Sequence, residues 1–340
     1  PRAVKRFADV MLDATAKMLA RWQEIPAGTE VAINLGMMRL AMSVISRSIF
    51  SVDIGEDFAE AGQALTQILD FASERGVSLL TLPLSVPTPG NQRLKRALTT
   101  IDAFLYGIIS DRRQKPPGDD LLSLLMEMRD EETGEGMSQK QLRDEVLITF
   151  FAGHETTAQL LTWAWYLFSR HPAVEEQFHA ELEGKLGGRS PGADDVEDLA
   201  YTRMVMDETL RLYSPVAIMA RDALEDDEVG GYAVPAGTII TISPYMTHRH
   251  PEFWDRPLQF HPDHFAPEQV KARPRYAYYP FGAGPRVCLG KHFALLEGAL
   301  VLAEVGQRYR PRLVPGQEVK PHWSGTLRPA GDVMMVLEQR

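Results

Sequence analysis

From Ser138 to Arg170 the chain runs for roughly 30 residues without a proline, and Pro172 follows. Ser138 with Gln141 three residues on is a helix-start pattern, because the serine oxygen can take a backbone N–H of the first turn. At 1.5 Å per residue the helix would be about 45 Å long. It is apolar around most of its middle, so it must run through the protein rather than over it. A fold built round such a rod is mainly helical, and the other elements have to wrap it.

The rest of the chain agrees. Val4, Phe7, Val10, Met11, Ala14, Met18 and Leu19 recur at helical spacing. Helices are expected over Met37–Phe50, Asp57–Glu74, Asn91–Arg113 and Met206–Tyr213. Leu82–Gly90, with three prolines, reads as a loop, and Pro116, Pro117 and Gly118 stop the helix before them. Short β-rich segments follow at Val216–Arg221, Tyr232–Val234 and Thr238–Ile242. His250–Pro280 has no period and reads as ordered coil. A helix restarts at Cys288 and reaches about Arg308, and strands near Arg312–Val314 and Val333–Leu337 close the chain. The simplest organisation is one domain over 1–340, mainly α with a small β part. It is helix-rich over 1–213, β-rich and coil over 214–280, a loop and helix over 281–310, and strands over 311–340.

A net charge of −10 argues against nucleic acid as the main partner, because phosphate binding needs a basic face. One cysteine allows no internal disulfide. No run of about 18 apolar residues is present, so no membrane span is expected, and a cytoplasmic location fits. The first residue is proline, so a start further upstream is expected.

That cysteine stands in Phe-Gly-Ala-Gly-Pro-Arg-Val-Cys-Leu-Gly, residues 281–290, directly before a helix. Glycines on both sides let the backbone turn tightly and approach something flat or bulky. A cysteine at a helix N-terminus has its thiolate stabilised by the helix dipole and free N–H groups. A soft thiolate suits iron, and a single one suits heme better than zinc, which wants four protein ligands. Two other readings stay open on local chemistry, an inert buried cysteine and a phosphate-cradling loop. A dinucleotide fingerprint fails, since no β-branched strand precedes it.

Within the long helix stands Ala152-Gly153-His154-Glu155-Thr156-Thr157. Glycine and β-branched threonines are poor mid-helix residues. Either the helix is kinked for packing, or Thr156 bonds back to the carbonyl near Ala152 and opens the helix locally. Glu155 beside Thr156 puts a carboxylate and a hydroxyl at one spot, a pair suited to moving protons.

These segments together resemble the cytochrome P450 family. The loop matches its heme-binding pattern at Phe281, Gly284, Arg286, Cys288 and Gly290. The resemblance implies a heme b whose iron is held by Cys288. Arg286 and Arg221 would pair with heme propionates, and Phe281 would pack on the cysteine side. Gly282, Gly290, Ala152 and Gly153 would lie against the cofactor. It implies that Thr156 steadies dioxygen and a water while Glu155 relays protons. Glu208 and Arg211, three apart on a helix, resemble the structural Glu–Arg pair that braces the coil under the heme. The family's third member, an arginine, is here His264 in His261-Pro262-Asp263-His264-Phe265. His248, His250, His261 and His264 read as coil histidines rather than a zinc cluster. Val216, Ala217, Ile218 and Met219, with Thr326 in the turn Ser324–Leu327, would line an apolar substrate pocket.

By resemblance residue 1 falls after the family's third helix, so the usual N-terminal portion, about 80–100 residues on length grounds, is expected to precede it. The implied function is a bacterial-type heme-thiolate monooxygenase. It would put one atom of O2 into a small apolar substrate, with electrons from a separate ferredoxin or flavodoxin. Lys271, Arg273, Arg275 and Lys291 would form the docking patch. Two alternatives stand beside it, a peroxide-driven peroxygenase and a catalytically impaired heme-binding relative.

Overall fold

The computed structural model describes residues 2–51, 58–78, 82–116, 118 and 120–340. The long helix is present as one continuous element, Gln139–Arg170, and the Ser138 hydroxyl accepts the Gln141 N–H at 3.1 Å. It threads two apolar cores. Its first half contributes Leu142, Val146 and Phe150 to a core shared with Ile45–Phe50, Ala61–Leu65 and Ala97–Ile109. Its second half, from Ala158 to Phe168, enters a larger core. There it meets helices Ala8–Gln23, Pro172–Leu186, Ala200–Leu212 and Lys291–Gly306.

Helix Ile33–Phe50 also crosses both cores, with Ile33–Val44 in one and Ile45–Phe50 in the other. It touches the central helix at the changeover. A side chain added to Gly153 would place its Cβ 2.5 Å from Ile45 Cδ1. Gly153 is therefore a packing glycine that lets two helices close on each other.

The expected helices occur with shifted ends. Asp57–Glu74 is observed as Phe58–Val77, its predicted first residue lying outside the described residues. The loop at Leu82–Gly90 ends at Thr88, because Pro89 opens helix Pro89–Arg113. Proline suits a first turn, whose N–H groups have no helical partner. Pro172 likewise opens Pro172–Leu186, a helix that the sequence reading missed, as it missed Leu121–Glu127.

The strands form small antiparallel pieces among the described residues. Met334–Gln339 lies between Glu30–Ala32 and Tyr309–Leu313. Met219–Asp222 pairs with Ile239–Ile242, and Pro321–Ser324 with Thr326–Pro329. No helix of the described residues is long and apolar enough to cross a membrane.

Candidate active site

Cys288 is a free, exposed cysteine. Its loop is fixed by backbone bonds. The Cys288 N–H donates to the Phe281 carbonyl at 2.8 Å, Val287 N–H to Gly284 at 3.1 Å, and Gly282 N–H to Tyr279 at 3.0 Å. Gly282 and Gly284 have φ of 72° and 68°, the left-handed region that side chains disfavour. Helix Lys291–Gly306 begins right after Gly290, and from Leu295 on it is buried. The loop thus presents a thiol outward from a rigid mount. Phe281 is half-buried against the larger core, whereas Val287 and Leu289 are open to solvent.

The irregular coil before this loop is held by one helix, Ala200–Leu212. Arg211 and Glu208 are both 0% exposed, and two bonds of 2.7 Å join them. Arg211 also donates to the carbonyls of His248 (2.8 Å), Pro257 (2.7 Å) and Gln259 (2.8 Å). Glu208 Oε1 accepts the His261 N–H at 2.8 Å and lies 3.1 Å from His264 Nδ1. So His264 does join the pair where the family pattern has arginine. Asp207, the residue before Glu208, accepts the Tyr278 hydroxyl at 3.0 Å. A coil whose backbone groups are paired this fully is rigid without being regular.

Arg273 departs from its expected docking role. Its guanidinium lies 3.9 Å from the Trp254 ring centre and 4.8 Å from that of Phe265, and it donates to the His264 carbonyl. It is half-buried in the coil, while Lys271 and Arg275 remain exposed and Lys291 is half-exposed.

His248 carries a pH consequence. It is buried, and its Nε2 accepts the Tyr279 N–H at 3.0 Å. Burial, then the nearby Arg211 and Arg249 charges, pull its pKa down from 6.5 to about 3. Between those values the unfolded chain binds the proton and the folded one does not, so folding stability falls as pH drops below 6.5. The contribution is at most about 1.4 kcal/mol per pH unit. Urea midpoints at pH 5.0 and 7.5 should differ less in His248→Gln than in the unsubstituted protein. Equal differences would show that this ring does not carry the effect.

On the central helix, the Thr156 hydroxyl donates to the Ala152 carbonyl at 2.8 Å, as expected. The helix stays continuous through it. Ile148, Ala152 and Thr156 stand at i, i+4 and i+8, and this stripe is exposed or half-exposed. Val146, Phe150 and His154 on the neighbouring stripe are buried. Glu155 is 3% exposed, and its Oε1 accepts bonds from Thr326 Oγ1 (2.8 Å) and Gln159 Nε2 (3.1 Å).

Two of the residues expected to line a substrate pocket turn inward. Ala217 is buried, because side chains alternate along an extended segment and its neighbours Val216 and Ile218 take the open side. Thr326 is 4% exposed and is committed to Glu155. Val216, Ile218 and the half-buried Met219 remain on open surface. Sequence reasoning missed Gln159, although its i+4 spacing from Glu155 was visible. No sequence pattern points to the Thr326 contact.

Met219 Sδ lies 3.8 Å from where a Cβ on Gly282 would be. Arg221, two residues along the same strand, shares that face and donates only to the Ala220 carbonyl, at 2.7 Å. Among the described residues neither Arg221 nor the exposed Arg286 has a carboxylate partner. An outward thiol with two uncommitted guanidinium groups, and apolar side chains in the open, fits a flat metal macrocycle that bears carboxylates.

Comparison with known proteins agrees. The family model described as Cytochrome P450 matches residues 2–335. Cyclooctatin synthase of Streptomyces melanosporofaciens is 35% identical over 340 residues, covering 99% of this chain and 73% of that protein. Cyclooctat-9-en-7-ol 5-monooxygenase of the same organism is 36% identical over 92% of this chain and 68% of its own length. Pentalenene oxygenase of Streptomyces avermitilis is 33% identical over 94% of this chain and 70% of its own length. The crystal structure of the cytochrome P450DA heme domain superposes with a TM-score of 0.90 at 30% identity, over 100% of this chain and 74% of that one.

Proposed function

The chain belongs to the cytochrome P450 family and is an oxidoreductase, and from that premise we propose that it is a heme-thiolate monooxygenase acting on an apolar organic substrate. The observation that carries this is Cys288, an exposed thiol on a backbone pinned to the Phe281 carbonyl at the start of a buried helix. A heme b held there supplies the activation of dioxygen. Cys288 Sγ would bind its iron. Arg286 and Arg221 would pair with its carboxylates, and Phe281, Gly282 and Gly290 would lie on the thiolate side. The exposed Ala152 would lie on the opposite side, whereas Gly153, expected there too, turns its open face to Ile45 at the helix crossing.

The other steps belong to the chain's own side chains. The Thr156 hydroxyl donates its hydrogen bond to the Ala152 carbonyl, so its oxygen keeps lone pairs free to accept a bond from a water or substrate. Glu155, one residue before, is the group able to pass a proton to that water. Val216, Ile218 and Met219 offer an apolar wall that orients substrate by burial rather than by charge. Electrons would come from a separate acidic ferredoxin or flavodoxin, docking on Lys271, Arg275 and Lys291.

The first test is the reduced carbon monoxide complex. A thiolate-type Soret band supports the reading, and a histidine-type band refutes it. Spin-shift titration would then begin with an alkene hydrocarbon or alkenol of the kind named for the relatives, such as pentalenene or cyclooctat-9-en-7-ol. Product with peroxide alone, and none with reductant and O2, would reassign the protein as a peroxygenase. Thr156→Ala should keep the spin shift but release peroxide in place of product, lowering product per reductant on the order of ten-fold or more. Unchanged coupling would remove Thr156 from the mechanism.

A further inference from the structure

Glu155, Gln159 and Trp163 stand at i, i+4 and i+8 on the central helix and form one stripe. That stripe faces the tip of the hairpin Pro321–Ser324/Thr326–Pro329. Trp163 Nε1 donates to the Leu327 carbonyl at 3.2 Å, and Thr326 Oγ1 donates to Glu155 Oε1 at 2.8 Å. The tip is tied down from other directions as well. Leu327 N–H donates to the Pro215 carbonyl at 2.9 Å. Asp70, on helix Phe58–Val77, accepts from Ser324 Oγ at 2.5 Å and from Arg328 Nη2 at 2.6 Å. A threonine on so firmly held a tip is a fixed donor, not a swinging one.

We propose that Thr326 is a positioning residue for proton delivery: together with Gln159 it grips Oε1 of Glu155 and so sets the rotamer in which the other oxygen, Oε2, carries the proton. The proposal rests on the reading of Glu155 as the proton relay given above. Its logic is one of division of labour. Both donors converge on Oε1, and neither bonds Oε2. A carboxylate held by one oxygen can exchange a proton at the other without losing its place. A glutamate held by neither would sample several rotamers and would not keep Oε2 in one place. The β-hairpin, contributed from 171 positions further along the chain, thereby completes a site that otherwise belongs to the central helix.

The test needs a readout other than turnover. With 13C-carboxyl-labelled glutamate in the purified resting protein, the infrared spectrum minus that of Glu155→Gln isolates the Glu155 band. Thr326→Val should shift and broaden that band, and Thr326→Ser, which keeps the hydroxyl, should restore it. In turnover, Thr326→Val should lower product per reductant by about ten-fold, a part of the roughly 10²–10⁴-fold that a placed proton donor contributes. KM for substrate should move less than about two-fold, as expected when an interaction outside substrate binding is lost. Serine should rescue the coupling. Should Thr326→Val fail to fold, Gln159→Leu removes the other donor and must move the same band and the same coupling ratio. An unmoved band, or a moved band with intact coupling, overturns the role of Thr326. Full coupling in Glu155→Gln would instead overturn the relay reading beneath it, and the two failures are told apart by that variant alone.

Discussion

Arg211→Ala is expected to lower folding stability by about 3–5 kcal/mol, the range for removing one partner of a buried ion pair. The alternative is plain. An exposed Glu–Arg pair at i, i+3 contributes only about 0.2–0.5 kcal/mol. Here both side chains are fully buried, and Arg211 serves three backbone carbonyls besides Glu208. Truncation would strand a buried carboxylate and leave those carbonyls without their donor. It would also uncover Trp254, whose ring centre lies 4.8 Å from the guanidinium. Arg211→Lys should recover little, since one ammonium cannot span the five bonds of a planar fork. Against a total stability of roughly 5–15 kcal/mol the loss is large, and the coil leading to the cysteine loop would be the first part to loosen. Urea unfolding measures it. A change under about 0.5 kcal/mol would mean that this network is not what holds the coil.

Cys288→Ser is expected to do the opposite, abolishing turnover while sparing the fold. The thiol side chain is exposed, and the loop's shape depends on backbone bonds that serine also makes. In the heme-free protein the unfolding free energy from urea titration should therefore change by no more than about 0.5 kcal/mol, as for ordinary surface substitutions. The reduced carbon monoxide complex should lose its thiolate-type band altogether. Retention of that band in the serine variant would exclude Cys288 as the iron ligand, whatever happened to activity. The pair of variants separates two functions that lie 77 positions apart in the chain. Arg211 maintains the mount, and Cys288 is what the mount presents.

What was legible in the sequence was local. The cysteine loop is ten contiguous residues whose glycines encode its turns. The start and end of the central helix lie in Ser138 and Pro172, and the Thr156 bond to Ala152 follows from helix geometry at i−4. Glu208 and Arg211 are three apart, so their pairing needed no knowledge of the fold. The sequence also marked Gly153 as unusual, but not why. The reason is Ile45, more than 100 positions away, at the point where two helices cross between two cores.

The tertiary structure decided everything that depends on where the chain returns. It turned the surface-type ion pair Glu208–Arg211 into a buried hub by bringing the carbonyls of His248, Pro257 and Gln259 to one guanidinium. It drew Arg273 out of the expected docking patch and onto Trp254, and it buried Ala217 and Thr326, which the sequence had placed along a substrate pocket. The physical reason is the same in each case. Contacts within one helical turn are fixed by a rise of about 1.5 Å per residue, which any sequence obeys. The partner of a side chain such as Glu155 is fixed by how the remaining cores pack, and so Thr326 became visible only in the folded molecule.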